Sequence, residues 1–306
     1  ATDCNGPVSL TQSPAAGTSL PLGDATATVT ALDAAGNAAT WTIELSVVDV
    51  TPPAVTILAP ASGFLAPVNT PIAFSGSFED CGGPFTAEWQ FESAGIPDPP
   101  LPGTVSGMQV DDTYAFTEPG VYTIRLRVTD AAGNTGETDR VADDLPAYVV
   151  VYDPEGGFVT GGGWIWSPAG ALRPGLAGDA EVEGKASFGF VSKYKKGATV
   201  PTGQTEFQFK AGDLDFHSSD YQWLVVAGAR AQFKGHGEIN GEPGYGFMIT
   251  AIDGKVPGGA GLDRFRIKIW DVLGEGVVYD NQSGSDDGAE LDTPTALQGG
   301  NIVIHK

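Results

Sequence analysis

Closely spaced carboxylates are the side chains of this sequence with the clearest capacity for chemistry. Asp213, Asp215 and Asp220 fall in one short stretch, and Asp213 and Asp215 would share a face of a β-strand. A hard cation such as Ca²⁺ binds several carboxylate and carbonyl oxygens at once. We therefore predict Ca²⁺ as a cofactor, with Asp213, Asp215 and Asp220 as its metal ligands. The alternative is a solvated acidic loop, which is common in acidic proteins.

Other acidic clusters offer the same type of ligand, and a solvated loop is the simpler interpretation of any one of them. They are Glu79-Asp80, Asp111-Asp112, Asp143-Asp144, and Asp286-Asp287 with Glu290 and Asp292.

Tryptophans suggest a second kind of site. Trp164 and Trp166 would lie on one face of a strand, and Trp270 belongs to the same C-terminal segment. Exposed aromatic rings in one plane can stack against sugar rings, whereas buried rings would simply fill the core. Trp164, Trp166 and Trp270 are therefore our candidate ligand-binding residues, with glycans as the expected ligand.

Catalytic and zinc-binding patterns are missing from the sequence. The three histidines, His217, His236 and His305, lack the close spacing of zinc ligands, and the two cysteines are far apart. The sequence has no Gly-x-Ser-x-Gly elbow, the turn that carries a nucleophilic serine. We predict that the chain is not an enzyme. We expect no Cys4–Cys81 bridge within the chain, because it would have to cross a module boundary. Buried free thiols are the simpler expectation, and a bridge between chains is the alternative.

The charge of the chain excludes two classes of partner. There are 38 acidic and 16 basic residues, which gives a net charge of −22. Such a surface repels nucleic acid and anionic lipid, so we expect neither as a partner. No run of about 18 apolar residues occurs, so we expect no membrane insertion.

Glycine and proline dominate the spacing between short apolar runs. The 43 glycines and 22 prolines punctuate runs of alternating polarity, and no long helical stripe occurs. This pattern predicts an all-β fold of tandem Ig-like sandwiches, followed by a larger antiparallel sandwich or jelly-roll-like domain. Proline-rich boundaries at 49–53 and 152–157 predict three domains, at residues 1–53, 54–153 and 154–306.

Two motifs recur in the first two domains. Asp-Cys-Asn-Gly-Pro at 3–7 returns as Asp-Cys-Gly-Gly-Pro at 80–84, and Asp-Ala-Ala-Gly-Asn at 33–37 returns unchanged at 130–134. The second motif has the residues of a hairpin turn, because Asp accepts backbone N–H bonds and Gly-Asn tolerates positive φ. Both domains are therefore expected to follow one plan of short antiparallel strands.

The first domain carries a set of short signatures. They are Ala-Thr-Asp-Cys (1–4), Gln-Ser-Pro (12–14), Gly-Thr (17–18), Pro-Leu-Gly (21–23), Asp-Ala-Ala-Gly-Asn (33–37) and Asp-Val-Thr-Pro-Pro (49–53). With this set, residues 1–53 resemble the later part of a hyalin-repeat (HYR) domain. A complete HYR domain has further residues before these, so the resemblance implies a partial sandwich with unpaired strand edges. Either the domain is truncated, or another chain supplies the missing strand.

The second domain has signatures of its own. They are Ala-Glu-Trp-Gln-Phe (87–91), Tyr-Ala-Phe (114–116), Pro-Gly-Val-Tyr (119–122) and Val-Thr-Asp (128–130). Residues 54–153 thereby resemble a PKD-type domain, although the Asp-rich turn usual after the tryptophan is missing. Trp89, Tyr114 and Tyr122 are expected to be core and corner residues of that sandwich.

The third domain resembles a C-terminal module found after PKD repeats in bacterial exoproteins. Its alternating runs predict nine or ten strands. They are 158–167, 186–194, 205–211, 214–217, 221–227, 229–239, 245–252, 264–272, 276–279 and 301–305. In the run 264–269 the basic side chains alternate with apolar ones, which predicts that they face solvent.

These resemblances imply an extracellular or cell-surface location and a non-catalytic structural or adhesive role. Other copies of the chain or other surface proteins are the expected partners, which would complete the partial domain by strand complementation and build a filament or adhesive surface. The alternative is a carbohydrate-binding appendage of a secreted hydrolase.

Overall fold

The computed structural model describes residues 7–93, 95–173, 181–274, 276–282 and 294–306, and these residues form β-strands joined by turns and loops. The predicted all-β fold class is confirmed, since the described residues contain one 3₁₀ turn, Lys210–Gly212, and no α-helix. In the same part of the chain no helix has the length and apolar character needed to cross a membrane. The strands form three sheets, which follow one another along the chain.

The first sheet, here called the N-terminal sheet, contains β1 (Ser9–Ser13), β2 (Gly23–Leu32) and β3 (Ala38–Val47) in antiparallel order. The turn between β2 and β3 is the predicted Asp-Ala-Ala-Gly-Asn hairpin. The Asp33 carboxylate accepts bonds from the backbone N–H of Asn37 at 2.7 Å and from its side-chain amide at 2.7 Å. Over residues 7–53 the sheet is a single layer, so this part of the expected sandwich lacks a second one.

The central domain is a two-layer sandwich with an aromatic core. Phe74 from one layer contacts Trp89 and Phe91 from the other, at ring-centroid distances of 5.5 and 4.9 Å. The Tyr122 hydroxyl donates to the Glu118 carbonyl at 3.0 Å, which is the predicted corner. The strands are β4 (Ala54–Ala59), β5 (Phe64–Pro67), β6 (Ile72–Glu79), β7 (Thr86–Ser93), β8 (Ile96–Pro97), β9 (Leu101–Ser106), β10 (Gln109–Tyr114), β11 (Gly120–Thr129), β12 (Thr135–Thr138) and β13 (Tyr148–Tyr152), paired in the order β4-β6-β10-β9-β7-β11-β13-β5 with β8 beside β7 and β12 beside β11.

The C-terminal domain is one antiparallel sheet that curls over its own core. Phe188 stacks on Phe265 at 3.9 Å although four strands lie between theirs in the pairing order, so the two sides of the sheet face each other. The strands are β14 (Phe158–Ser167), β15 (Gly184–Lys193), β16 (Thr202–Phe209), β17 (Leu214–Ala227), β18 (Arg230–Ile239), β19 (Glu242–Ile252), β20 (Arg264–Asp271), β21 (Gly276–Asp280), β22 (Thr295–Ala296) and β23 (Gly299–His305), in the order β21-β20-β19-β18-β17-β16-β15-β14-β23 with β22 beside β20.

The two strands expected at 214–217 and 221–227 are one strand, β17. Irregular pairing with β18 between Ser218 and Asp220, and between Tyr221 and Trp223, absorbs the polar residues in its middle. Such bulges bend a strand without ending it. The polar stretch between the two apolar runs was therefore mistaken for a turn.

The last strand of this domain is closed by carboxylates instead of another strand. The backbone N–H of Ile302 donates to Asp263 at 2.8 Å, and that of Ile304 donates to Asp253 at 3.0 Å. Both aspartates lie in the loop between β19 and β20. Their oxygens take the place of strand carbonyls along one side of β23, so these two N–H groups are not available to another chain.

The central and C-terminal domains share a small apolar core, here called the interdomain cluster. Tyr152 and Tyr194 stack across it at 5.5 Å, and the Tyr194 hydroxyl bonds both the N–H and the carbonyl of Leu224 at 3.1 Å. Burial raises the pKa of Tyr194 well above its usual value. The hydrogen bond with Leu224 lowers this pKa, but its effect is smaller than that of burial. The buried members of the cluster are Val121, Val150, Tyr152, Trp223 and Val225.

Candidate functional site

The N-terminal sheet carries a broad exposed apolar face. Residues directly opposite each other on paired strands share a face, and the register places Val29 opposite Trp41 and Ala27 opposite Ile43. Trp41 is 72% exposed, Leu10 59% and Ile43 42%. We call this surface the open face; it consists of Leu10, Ala25, Ala27, Val29, Ala31, Ala39, Trp41, Ile43 and Leu45.

The opposite face of the same sheet is polar and rich in threonine. Thr28 pairs with Thr42, and Thr26 pairs with Glu44. These residues alternate along the strands with those of the open face, so their side chains point to the other side of the sheet. A strand with this alternation is built to bury one face and to solvate the other. Within residues 7–306 as described, the face that should be buried has no second layer upon it.

The edges of the N-terminal sheet are also unpaired among the described residues. β1 pairs with Thr28–Leu32 only, so the Gly23–Ala27 half of β2 has no neighbour on that side. β3 pairs with β2 along its whole length and with no strand on its other side. Free edges of this kind can accept a further strand. The sheet thus offers both a face and two edges to another β structure.

The predicted calcium ligands do not meet at one point. Asp213 follows the 3₁₀ turn with φ of 48°, Asp215 lies 3.5 Å from the Nε2 atom of His217, and Asp220 lies 3.0 Å from the Nδ1 atom of His236. Two of the three carboxylates therefore face two different histidines. Calcium binding by Asp213, Asp215 and Asp220 stays a prediction without support from their arrangement. The predicted cluster at 286–292 lies outside the described residues.

A different group of potential ligands does come together. One oxygen each of Asp49 and Asp80 and the Cys81 sulfur lie within 4.8 Å of one another, the one group of three such ligands that the described residues form. The sequence pointed to Glu79-Asp80 as an acidic cluster but gave no signal for Asp49, which is a lone aspartate in the linker. Cys81 is a free thiol and is exposed, so the expectation of a buried thiol was wrong for this residue. Cys4 lies outside the described residues.

The three candidate tryptophans lie on two different surfaces. Trp164 and Trp166 share the outer face of β14, where Trp166 is 51% exposed and the Lys185 ammonium lies 4.9 Å from the Trp164 ring. Trp270 is on β20, under the Lys234 ammonium at 5.3 Å. Because the sheet curls so that β15 faces β20 across the core, their outer faces point in opposite directions. Trp164 and Trp166 form one aromatic pair, and Trp270 is separate from it.

The basic side chains of β20 are not on a solvated face, contrary to the expectation from alternation. Arg266 is 5% exposed and bonds Asp280 through two nitrogens, at 3.1 and 2.7 Å. Beside it Asn281 accepts the Ile267 N–H and donates to the Phe265 carbonyl. Each of the side-chain atoms named here has a hydrogen-bond partner, so this buried polar network is consistent with a structural role.

Comparison with known proteins identifies one domain of the chain. Residues 56–142 match the PKD domain family, which covers the central domain and confirms that part of the expected resemblance. PKD domains are typically extracellular. No curated protein matches the sequence.

Solved structures show only remote likeness. A cycloalternan-forming enzyme from Listeria monocytogenes, in complex with a pentasaccharide substrate, is 8% identical with a TM-score of 0.24, covering 75% of this chain and 18% of its own. An uncharacterised protein from Listeria monocytogenes EGD-e, bound to glucose, magnesium and calcium, is 11% identical with a TM-score of 0.24, covering 76% and 19%. Protocadherin gamma B2 extracellular cadherin domains 1–5 are 10% identical with a TM-score of 0.25, covering 76% and 43%. The chain spans less than half the length of each, and similarity this weak carries no argument about function.

Proposed function

We propose that this chain is a non-catalytic structural or adhesive module of a secreted or cell-surface protein, and that its N-terminal sheet is completed by a second copy of the chain. The observation that carries the proposal is the open face of that sheet. Burying a large apolar side chain contributes about 1.5–3 kcal/mol. With Leu10, Trp41, Ile43 and Leu45 all exposed, a covered sheet is considerably more stable than an uncovered one.

The relief of the open face favours a second copy as the occupant. Small side chains, among them Ala25 and Ala27, form a shallow furrow along β2, and the larger Trp41 and Ile43 form a ridge along β3. Under two-fold symmetry the ridge of one copy can lie over the furrow of the other, because an isologous contact uses one patch twice. Two such layers would form a two-layer sandwich.

Assembly of this kind would continue along the free edges. The unpaired Gly23–Ala27 edge of β2 and the outer edge of β3 can each take a strand from another copy, which would extend a pair into a filament. The interdomain cluster keeps the central and C-terminal domains together, so that these two domains would project as one unit from the assembly.

The oligomeric state in solution tests this proposal. We expect a concentration-dependent dimer by light scattering after size exclusion, and we expect salt to strengthen it, since copies with a charge of −22 repel each other at low ionic strength. The double variant Ile43→Thr/Leu45→Thr should weaken the dimer at least about tenfold. The matched control Thr40→Ser/Thr42→Ser changes the other face of the same strand and should leave the dimer intact.

Two results would contradict the second-copy proposal. One is a monomer at every accessible concentration and at high salt, with the β2 and β3 amides still protected from hydrogen exchange. The other is a dimer that the double variant and the control weaken equally, because the contact would then lie elsewhere.

Carbohydrate binding is the second candidate, and the exposed Trp166 beside the half-buried Trp164 favours it. Two rings two residues apart on one strand face can stack against neighbouring sugar units. We expect retardation of the chain in gels containing a bound polysaccharide, lost in Trp166→Ala and kept in Trp270→Ala, which removes a ring from the opposite surface. No retardation across a panel of soluble polysaccharides, or equal loss in both variants, would argue against this role.

A further inference from the structure

Two carboxylate oxygens, one from the linker before the central domain and one from a loop of that domain, are buried without a partner. The Oδ2 atoms of Asp49 and Asp80 have essentially no solvent-accessible surface, and neither has a hydrogen-bond donor among the described residues. The Oδ1 atoms are used locally: that of Asp49 accepts the Thr51 N–H at 3.0 Å, and that of Asp80 accepts the N–H groups of Cys81 and Gly82. Each carboxylate thus has one satisfied and one enclosed, unsatisfied oxygen.

Among the described residues no basic side chain forms an ion pair with either of these two acids. Residues 1–124 contain no Lys, Arg or His, and the next basic residues, Arg125 and Arg127, lie near Glu88, Glu137 and Asp139. An enclosed carboxylate oxygen without a donor costs free energy, and two neighbouring carboxylates also repel each other. A bound cation removes both costs at once.

The backbone around the pair is shaped to bring the two acids together. Gly82 approaches Asp49 so closely that a Cβ atom there would overlap the Asp49 Oδ2 atom. On the other side the Asn134 side chain donates to the Asp49 carbonyl at 3.2 Å and to the Asp130 carboxylate at 2.8 Å. The Ala131 N–H donates to the Gly82 carbonyl at 3.1 Å. The linker and two loops of the central domain therefore meet around Asp49 and Asp80.

We propose that Asp49 and Asp80 bind one Ca²⁺ ion that fastens the linker to the central domain. Carboxylates are hard ligands, and backbone carbonyls and water can complete a calcium sphere of six to eight oxygens. Structural zinc sites use four Cys or His ligands as a rule. Here Cys81 is the one sulfur in the group, and all three histidines of the chain lie in the C-terminal domain. The site does not depend on pairing between copies of the N-terminal sheet.

Calcium binding by the metal-free full-length chain tests this site. We expect equilibrium dialysis to show saturable Ca²⁺ uptake, with affinity of the order of 10⁻⁴–10⁻³ M, as in extracellular modules of low ligand charge. Asp49→Asn and Asp80→Asn keep the shape of the side chains and should each reduce the number of bound ions by one. Asp111→Asn/Asp112→Asn is the matched control, because it removes two acids from a strand of the same domain.

A second measurement locates the ion and separates it from other acidic clusters. Ca²⁺ should slow proteolysis of the Asp49–Pro53 linker at least tenfold in the parent chain and in Cys81→Ser, but not in Asp49→Asn. Three results would overturn the proposal: no uptake of Ca²⁺, uptake and linker protection that persist in both single variants, or a loss in Cys81→Ser, which would indicate a softer ion. Circular dichroism of each variant checks its fold, and Asp49→Asn decides alone if Asp80→Asn does not fold.

Discussion

The N-terminal sheet and the C-terminal domain are built from the same kind of strand but end in opposite states. Both alternate apolar and polar residues, and both are antiparallel. In the C-terminal domain the sheet curls until Phe188 meets Phe265, and Asp253 and Asp263 close its last strand. Among the described residues nothing covers the apolar face or the free edges of the N-terminal sheet. Alternation therefore determines which face must be covered, but not what covers it.

The largest expected difference between these two regions is the response to losing an aromatic ring. Phe265→Ala removes a fully buried ring and should lower the free energy of unfolding of the C-terminal domain by about 3–5 kcal/mol. Trp41→Ala removes a larger ring from the open face and should change stability by less than about 0.5 kcal/mol at low protein concentration. Urea unfolding followed by hydrogen exchange, which separates the regions, measures both. A comparable loss in Trp41→Ala would mean that the open face is covered in solution.

The carboxylates that close β23 are the next test of the comparison. Asp253→Ala and Asp263→Ala each leave buried or half-buried N–H groups without an acceptor, which should cost about 1–3 kcal/mol. They should also convert a closed edge into an open one like that of β3, and so increase aggregation. Thermal unfolding with light scattering measures the two effects together. A variant that loses stability without any gain in aggregation would show that the rest of the 253–263 loop still covers β23.

The sequence predicted the local features of these regions but not the contacts between distant segments. Alternation predicted β14 with its correct bounds and the all-β class, because a period of two residues is a local property. It failed for Arg266, since alternation assigns a face but not what lies over that face. Trp270 was grouped with Trp164 because curling of the sheet is invisible in the spacing. Asp49 was missed because its meeting with Asp80 depends on how a linker packs on a loop, which no local pattern encodes.

Alkaline pH should destabilise the C-terminal domain through its buried tyrosines and should not act on the N-terminal sheet in this way. Burial raises the pKa of Tyr194 and of Tyr279 well above the usual 10.0. Their contribution to stability is complete below pH 10 and is lost as the pH rises above it, because the unfolded chain then releases protons that the folded chain retains. The loss should approach about 1.4 kcal/mol per pH unit for each tyrosine. Residues 7–53 contain no tyrosine.

Hydrogen exchange at several alkaline pH values, corrected for intrinsic rates, measures this difference. The C-terminal domain should lose protection above pH 10 while the N-terminal sheet does not share that dependence. Tyr279→Phe removes one proton-binding group and should flatten the dependence, although it also removes the bond to Ser167. Equal losses in both regions would indicate general charge repulsion as the cause.

The smallest expected effect compares the two copies of the Asp-Ala-Ala-Gly-Asn turn. Hydrogen bonds from the Asn37 side chain and backbone hold the pKa of Asp33 below its usual 3.8. For Asp130, burial raises the pKa, but the bonds from Asn134 outweigh it and the net shift is also downward. Both turns therefore gain stability above pH 3.8 and lose it as the pH falls through the lowered values.

Carbon-13 titration of the two carboxyl groups separates the exposed copy from the packed one. Asn37→Ala should return the Asp33 pKa towards 3.8, because little else contacts that turn. Asn134→Ala should raise the Asp130 pKa, because burial is then opposed by the backbone N–H bonds alone. The second variant also frees the Asp49 carbonyl, so added Ca²⁺ should become less effective at protecting the linker. Identical shifts in the two variants would mean that packing of the central domain adds nothing to this turn beyond its local hydrogen bonds.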